Sequence, residues 1–483
     1  MMIRLSVVHW LIWLKTKTSG IYKADIFSVL ERDDKVELQE YIRNRYDGQF
    51  KKFMQEEVNS VPAQQHIREI VDIKEYLGKN QHKINTRPNE MFNGKQIEVE
   101  RVTLNYAKQI INFSVNFLLG KNPVQLAGKE NVINELNKVY KKGKYHKIDY
   151  RVLSDIVRYG ESFEYVYVKD GNIFSQTIDP SEAYPVYDPE TNEMLSFVQY
   201  YHSDYTDYYI VFTDDIVAKY SNIGGEDIRL IEQRPNNTGL PIHYKTENEM
   251  DSTRGHAEIN DFIDIIDSME HLLSKAVDGY YRHIMGTPVL TGQSLTNAEL
   301  PKHGAAGAHG LRLDDDGDFK YVTNPFDHQA FKELYGTLKN ALGDIASMPN
   351  VLLNGSSTIS NVGDVAIESI FYLSLIKANM NSKILTDGFE QRIEKMRNVL
   401  AMQGIEFSDD DFEETNFVFS PDMPKDDSQM IENIEKLKEI GVISTESALD
   451  NVSFLDKVSE MERLASQGAD DGVGNTDDDN GDG

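Results

Sequence analysis

Cysteine is absent from all 483 residues. No disulfide, thiolate nucleophile or cysteine-ligated zinc is therefore available, which suits a reducing compartment and rules out a covalently stapled scaffold. Basic charge is scarce as well: 50 Lys and Arg stand against 79 Asp and Glu, a formal net charge of −29. A protein that grips nucleic acid by neutralising phosphates needs a basic footprint, so any contact with DNA here is sliding or transient. Long apolar runs are missing. The stretch "MMIRLSVVHWLIWLK" places an Arg before about ten mostly apolar residues, as a short signal sequence does. Yet His9 interrupts it, no small-residue cleavage site follows in "KTKTSG", and a bilayer span takes roughly 20 residues. The stretch reads as a flexible extension, a helix docked on a neighbour, or residues from an upstream start codon, rather than a secretion signal. No other segment approaches a transmembrane helix.

Local catalytic patterns are missing too. No G-x-x-x-x-G-K-[ST], no G-x-G-x-x-G after a strand, no G-x-S-x-G and no H-E-x-x-H occurs, so phosphate-loop, dinucleotide, hydrolase and metalloprotease readings have no residues behind them. Asp314, Asp315, Asp316 and Asp318 resemble a calcium loop, but Phe319 stands where that loop needs Gly and Pro325 where it needs Glu. A solvated acidic turn is the better reading, and no metal, cofactor or catalytic residue is assigned.

What is present is periodicity. An apolar share of 40% over this length allows roughly two to four units, each with its own core. Residues 34–57 read as short amphipathic helices, followed by a polar connector to about residue 96. In "RVTLNYAKQIINFSVNFLLGKNPVQL" the apolar residues from Leu104 to Leu119 recur at helical spacing, and Gly120 and Pro123 stop the helix. The period then falls to two: "SFEYVYVKDGNIFSQTID" flanks Asp170-Gly171 with alternating aromatic and β-branched residues, a hairpin signal. Short strands continue as a meander to about Tyr244.

From Gly255 the pattern becomes helical again. Ile259, Phe262, Ile263, Ile266, Met269 and Leu273 open a long apolar stripe that reaches Ile284. A Gly-rich, strand-like insert at 285–325 follows, and a second helix returns over 326–348. The layout is a helical hairpin with a small domain at its tip. Val365 to Met402 reads as another long helix, kinked near Asp387-Gly388, and "DSQMIENIEKLKEIGVISTESALDNV" as a compact helical pair. Residues 466–483 carry acidic charge without an apolar anchor and read as disordered. Between the long helices lies "MPNVLLNGSSTISNVGDVAIES", whose polar middle neither helix can absorb.

Four stretches in this order carry a resemblance. They are "NYAKQIINFSVNFLLGKNPV", "RYGESFEYVYVKDGNIFSQTIDPSEAYPVYD", "NNTGLPIHYKTENE" before a long helix, and "IASMPNVLLNGSSTISNVGDVAIESIFYLSL". Together they resemble a tailed-bacteriophage portal protein, the head–tail connector, in the branch found in siphophages of Gram-positive hosts. The resemblance implies an α+β subunit with a mixed wing (34–254), a helical-hairpin stem (255–284 and 326–348), a small α/β clip (285–325), a tunnel loop (349–363), a long kinked helix from wing to crown (364–402) and a helical crown (403–465). It leaves the extension 1–33 and the acidic tail unassigned. It further implies a ring of about twelve subunits at one capsid vertex, assembled in the host cytoplasm, through which double-stranded DNA is packaged and ejected without tight binding. Its expected partners are the terminase large subunit, a head-completion adaptor, and scaffold and major capsid proteins, with no membrane. Asn354, Gly355, Ser356, Ser357, Thr358 and Ser360 are the expected channel lining. Lys332 and Lys339, seven residues apart on one helix face with Gly336 and Gly343, are expected to face the channel. Asp314, Asp315, Asp316 and Asp318 are the expected docking surface for terminase and adaptor. The alternatives are a non-ring capsid scaffold or adaptor protein, or an enzyme without a recognisable local motif.

Overall fold

The computed structural model describes residues 36–92, 95–225, 227–285, 287–291, 318–322, 327–354, 364–424 and 427–444, with short pieces at 449, 460–461 and 463–464. Three helices come first: α1 (Val36–Tyr46), α2 (Phe50–Val58) and α3 (Val61–Leu77). The last corrects the expected polar connector. Its sequence is rich in Gln, Glu, Arg and Lys, but Ile70, Ile73 and Tyr76 are buried at three-residue spacing, and Pro62 sits in the first turn, where a missing N–H costs nothing. A small ribbon of β1 (Glu90–Phe92) and β2 (Lys95–Ile97) leads to α4 (Tyr106–Leu119), the helix expected there.

After β3 (Gln125–Ala127) come α5 (Glu130–Gly143) and α6 (Tyr145–Tyr159). The strands β4 (Glu161–Lys169) and β5 (Asn172–Ile178) form the expected hairpin, with Asp170 at φ 50° and Gly171 at φ 73°, both left-handed as a tight two-residue turn demands. The meander follows as β6 (Ala183–Tyr187), β7 (Met194–Ser203), β8 (Thr206–Phe212), β9 (Ile216–Ser221) and β10 (Arg229–Pro235), an antiparallel sheet in sequence order. The next strand, β11 (Ile242–Lys245), departs from the expected meander. It crosses to the other sheet and pairs with β4, Tyr244 opposite Ser162. There Tyr244 and Ile242 enter the core shared by α4, α6 and the long C-terminal helix.

The helical hairpin is α7 (Ile259–Met285) and α8 (His328–Ile345), with β12 (Thr287–Thr291) and β13 (Asp318–Val322) paired between them. Asp327 caps α8 by accepting from the N–H groups of Gln329 and Ala330. A short helix, α9 (Asn350–Asn354), precedes α10 (Asp364–Met402). α10 runs through Asp387-Gly388 without a break. Gly388 instead permits close packing, since a Cβ there would lie 2.0 Å from the Tyr244 ring. The chain then makes α11 (Asp409–Glu413), β14 (Asn416–Val418), which pairs with β3, and α12 (Asp427–Glu439). Residues 403–424 thus lie against the core around α4 and α10, where Phe407, Phe412, Phe417 and Phe419 pack. The second helix of the expected C-terminal pair falls largely outside the described residues.

Candidate functional site

The hairpin emerges from a core and becomes bare toward its tip. At its root Ile259, Phe262, Ile266 and Met269 of α7 are buried with Leu342 and Ala346 of α8 and with Ile70 and Ile73 of α3. Farther out, Tyr280, Tyr281 and Leu334 are more than half exposed. A long hairpin that keeps large apolar side chains in water over its outer half asks for a covering partner.

A ladder of polar side chains flanking the buried stripe fixes the root. Glu270 Oε1 accepts from the Leu104 N–H at 2.7 Å, Ser274 Oγ from Val102 at 2.9 Å, and Asp278 Oδ1 from Glu100 at 2.8 Å. Four residues of helix rise about 6 Å and two residues of extended chain about 6.6 Å, so an antiparallel strap of alternate N–H groups matches every fourth helical position. The strap is held further by His82, whose Nδ1 lies 2.7 Å from Glu270 and Nε2 3.0 Å from the Tyr76 carbonyl. Arg87 pairs with Asp278 at 2.7 Å, and Lys83 with Asp264 and Asp267 at 2.7 and 3.0 Å. Burial pushes the Glu270 carboxyl up, against the Leu104 N–H and His82, which favour its charged form.

The polar segment between α9 and α10 has fixed ends. Leu353 is buried, and the turn before α9 is fastened to α10 by Ser374 Oγ donating to the Ser347 carbonyl at 2.7 Å and Lys377 Nζ to the Ala346 carbonyl at 3.3 Å. Lys377 also pairs with Glu258 at 2.5 Å, which joins α10 to the start of the hairpin. Asn354 ends α9, whereas Gly355, Ser356, Ser357, Thr358 and Ser360 lie outside the described residues. Lys332 is exposed on α8, while Lys339 is half-buried with its ammonium 5.8 Å from the Tyr106 ring centroid. Gly336 faces open space, and Gly343 is closed over by Asn350 and Leu353. Asp318 is exposed on β13; Asp314, Asp315 and Asp316 lie outside the described residues.

Two buried charge clusters tie the sheet of β4, β5 and β11 to the helices packed on it. Arg392 of α10 donates from Nε and Nη2 to Glu164 of β4, at 2.7–3.0 Å, and from Nη1 to Asp149 of α6 at 2.5 Å. The Tyr244 hydroxyl donates to Glu164 at 2.7 Å, and the Phe389 ring centroid lies 4.2 Å from the guanidinium carbon. In the second cluster Glu161 meets His66 at 2.8 Å, His243 at 3.1 Å and Arg254 at 3.1 Å. Burial alone would raise the Glu161 carboxyl; Arg254 and the two histidines overcome it and hold the group well below the usual range. Among the described residues no group of His, Asp and Glu is arranged to hold a metal, and no helix is long and apolar enough to cross a membrane.

Comparison with known proteins places these features in a family context. Residues 61–473 match the family model described as phage portal protein, SPP1 Gp6-like. No curated protein matches the sequence. Among solved structures, a chain from the neck of an empty GTA particle computed with C6 symmetry is similar at 10% identity and TM-score 0.44, covering 74% of this chain and 89% of that one. A chain from the neck of a native GTA particle computed with C12 symmetry gives 10%, 0.42, 72% and 89% in the same order. A chain from the virion of a native gene transfer agent particle gives 12%, 0.40, 74% and 88%.

Proposed function

We propose, from the premise that this chain belongs to the SPP1 Gp6-like family of phage portal proteins, a division of labour among the parts of its fold. As a portal protein it forms a ring at one vertex of the capsid, and the family is structural. The α7–α8 hairpin serves as the stem, residues 285–325 as the clip, residues 34–254 with the start of α10 as the wing, and residues 349–363 as the tunnel loop. The observation that carries this reading is the hairpin itself, anchored at its root and bare at its outer half, because neighbouring copies in a closed ring cover what one subunit leaves exposed. The net charge of −29 supports a conduit rather than a binder, since a channel that neutralised phosphates would hold its cargo. The motor activity belongs to terminase and not to this chain. Purified protein imaged in negative stain is expected to show rings with a central hole and no ATP hydrolysis; a stable monomer at micromolar concentration, or hydrolysis without a motor, would overturn the reading.

The clip is the proposed docking surface for the terminase large subunit and then for a head-completion adaptor, with Asp314, Asp315, Asp316 and Asp318 as its acidic face. It joins the two ends of the hairpin, where the paired strands β12 and β13 meet. Replacing all four with Lys is expected to leave rings intact and to reduce packaging in a terminase-driven assay several-fold. Packaging at the normal rate would remove these residues from the docking surface. Lys332 and Lys339 are proposed to offer passing phosphates a weak hold from the stem; loss of both charges is expected to change the salt dependence of DNA retention, and an unchanged dependence would refute it.

A further inference from the structure

The face of α10 turned away from its own subunit changes character halfway along. Ile367, Phe371, Ala378, Leu385, Phe389 and Met396 bury one face over nearly the whole helix. Half a turn away, at about 100° per residue, the first part of the helix shows Tyr372, Leu373, Ile376 and Met380, exposed to 60%, 48%, 41% and 60%. The same outward face in the second part shows Lys383, Asp387, Glu390, Glu394 and Asn398, all exposed. A helix solvated along its whole length keeps one polar face throughout. This one is apolar on both faces from Phe371 to Met380 and amphipathic beyond it, so its outward face is built for protein there and for water in the second part.

We propose that Tyr372, Leu373, Ile376 and Met380 form a subunit-to-subunit contact, covered by the adjacent copy of this chain in the ring. The inference rests on the portal reading and names which surface closes the ring next to the channel. Position argues for a second copy over any other occupant. The stripe lies on the stretch of α10 that Ser374 and Lys377 fasten to the turn preceding residues 349–363, the segment proposed as the tunnel loop. About twelve helices, each about 10 Å wide, close around an opening on the order of 30 Å, so an element near the axis has only about its own width of circumference and meets a neighbour on each side. Farther from the axis the spacing between copies widens, and there the outward face of α10 is charged. The switch from apolar to polar follows the change in distance between subunits.

The absence of cysteine makes the test direct. Tyr372→Cys and Glu390→Cys each place a single thiol on the outward face of α10, one in the apolar part and one in the polar part. Maleimide labelling is followed in assembled rings and in subunits dissociated from them. The expected result is at least tenfold slower labelling at position 372 in rings than in dissociated subunits, with equal rates at 390. Leu373→Asp with Ile376→Asp is expected to yield folded subunits, with unchanged helical circular dichroism, that fail to form rings. Rings in which 372 labels as fast as 390, or in which 372 becomes protected only after capsid or scaffold protein is added, would defeat this inference and leave the portal reading standing. Failure of the unmodified chain to form rings would defeat both.

Discussion

Arg392→Met is expected to leave a folded chain that is less stable by several kcal/mol and recovered in lower yield. The guanidinium is fully buried, and it is the cation facing Glu164 and Asp149, themselves buried. Removing one partner of such a cluster leaves carboxylates in a medium that cannot solvate them, a loss of about 3–5 kcal/mol, against a total stability of about 5–15 kcal/mol for a typical domain. The damage spreads because the cluster joins α6, β4, β11 and α10, so four elements lose their common anchor at once. Arg392→Lys keeps the charge but loses the paired geometry to Glu164, and is expected to fall between the two. The pH dependence has a definite sign. Burial outweighs the pull of Arg392 and pushes the Asp149 carboxyl up to about 6. A folded-state value above the unfolded one means the native state binds the proton more readily, so this group's contribution to stability falls as pH rises from about 4 to about 6. Without Arg392 the preference for the protonated form grows. Urea midpoints of the variant are therefore expected to be nearer to those of the unmodified protein at pH 5 than at pH 8; a variant as stable as the parent at pH 8 would show that the cluster does not hold these four elements together.

Replacing Ser356 and Ser357 together with Asp is expected to leave rings intact and to stop DNA filling or retention. In a ring of about twelve copies with residues 349–363 as the proposed tunnel loop, the double change would add about two charges per subunit to one constriction. Two like charges at 4 Å repel by about 1 kcal/mol in water and by about 4 kcal/mol at an effective dielectric of 20, and salt screens little at separations below the Debye length of about 8 Å. Summed over many phosphates passing within reach, that repulsion opposes each step of translocation. Neutral hydroxyls at a constriction would touch phosphate without fixing its register. The measurement is the length of packaged DNA in particles of normal protein composition, and normal filling with normal retention would show that these residues do not meet the DNA.

Much of the architecture was legible because periodicity reports burial. The β4–β5 hairpin followed from Asp170-Gly171 between alternating residues, and α7 and α8 from apolar stripes at helical spacing. α3 escaped because long charged side chains surround its few buried positions, and window averages count the charge. The partner of β11 escaped for another reason: strand pairing across about 80 residues of chain leaves no local trace, and only the tertiary core decides it. Gly388 reads in sequence as the place of a kink, and in the structure its missing side chain makes room for Tyr244. The ladder Glu270, Ser274 and Asp278 escaped as well. The spacing that places the three side chains in one row was visible, but the main-chain donors of Glu100, Val102 and Leu104 carry no side-chain signature.

That ladder has a mechanical consequence. The donors along residues 100–104 point across the axis of α7, so a pull along the stem loads the three hydrogen bonds together in shear and cannot peel them one after another. Hydrogen bonds to ionised groups contribute about 1.5–3 kcal/mol each, and two of the three acceptors are carboxyl side chains. Sliding α7 against its strap finds no intermediate resting point, because the next matching register lies a whole step of about 6 Å away. The root of the hairpin therefore resists small axial displacements stiffly and yields only in a discrete slip, which suits the stem role proposed for it.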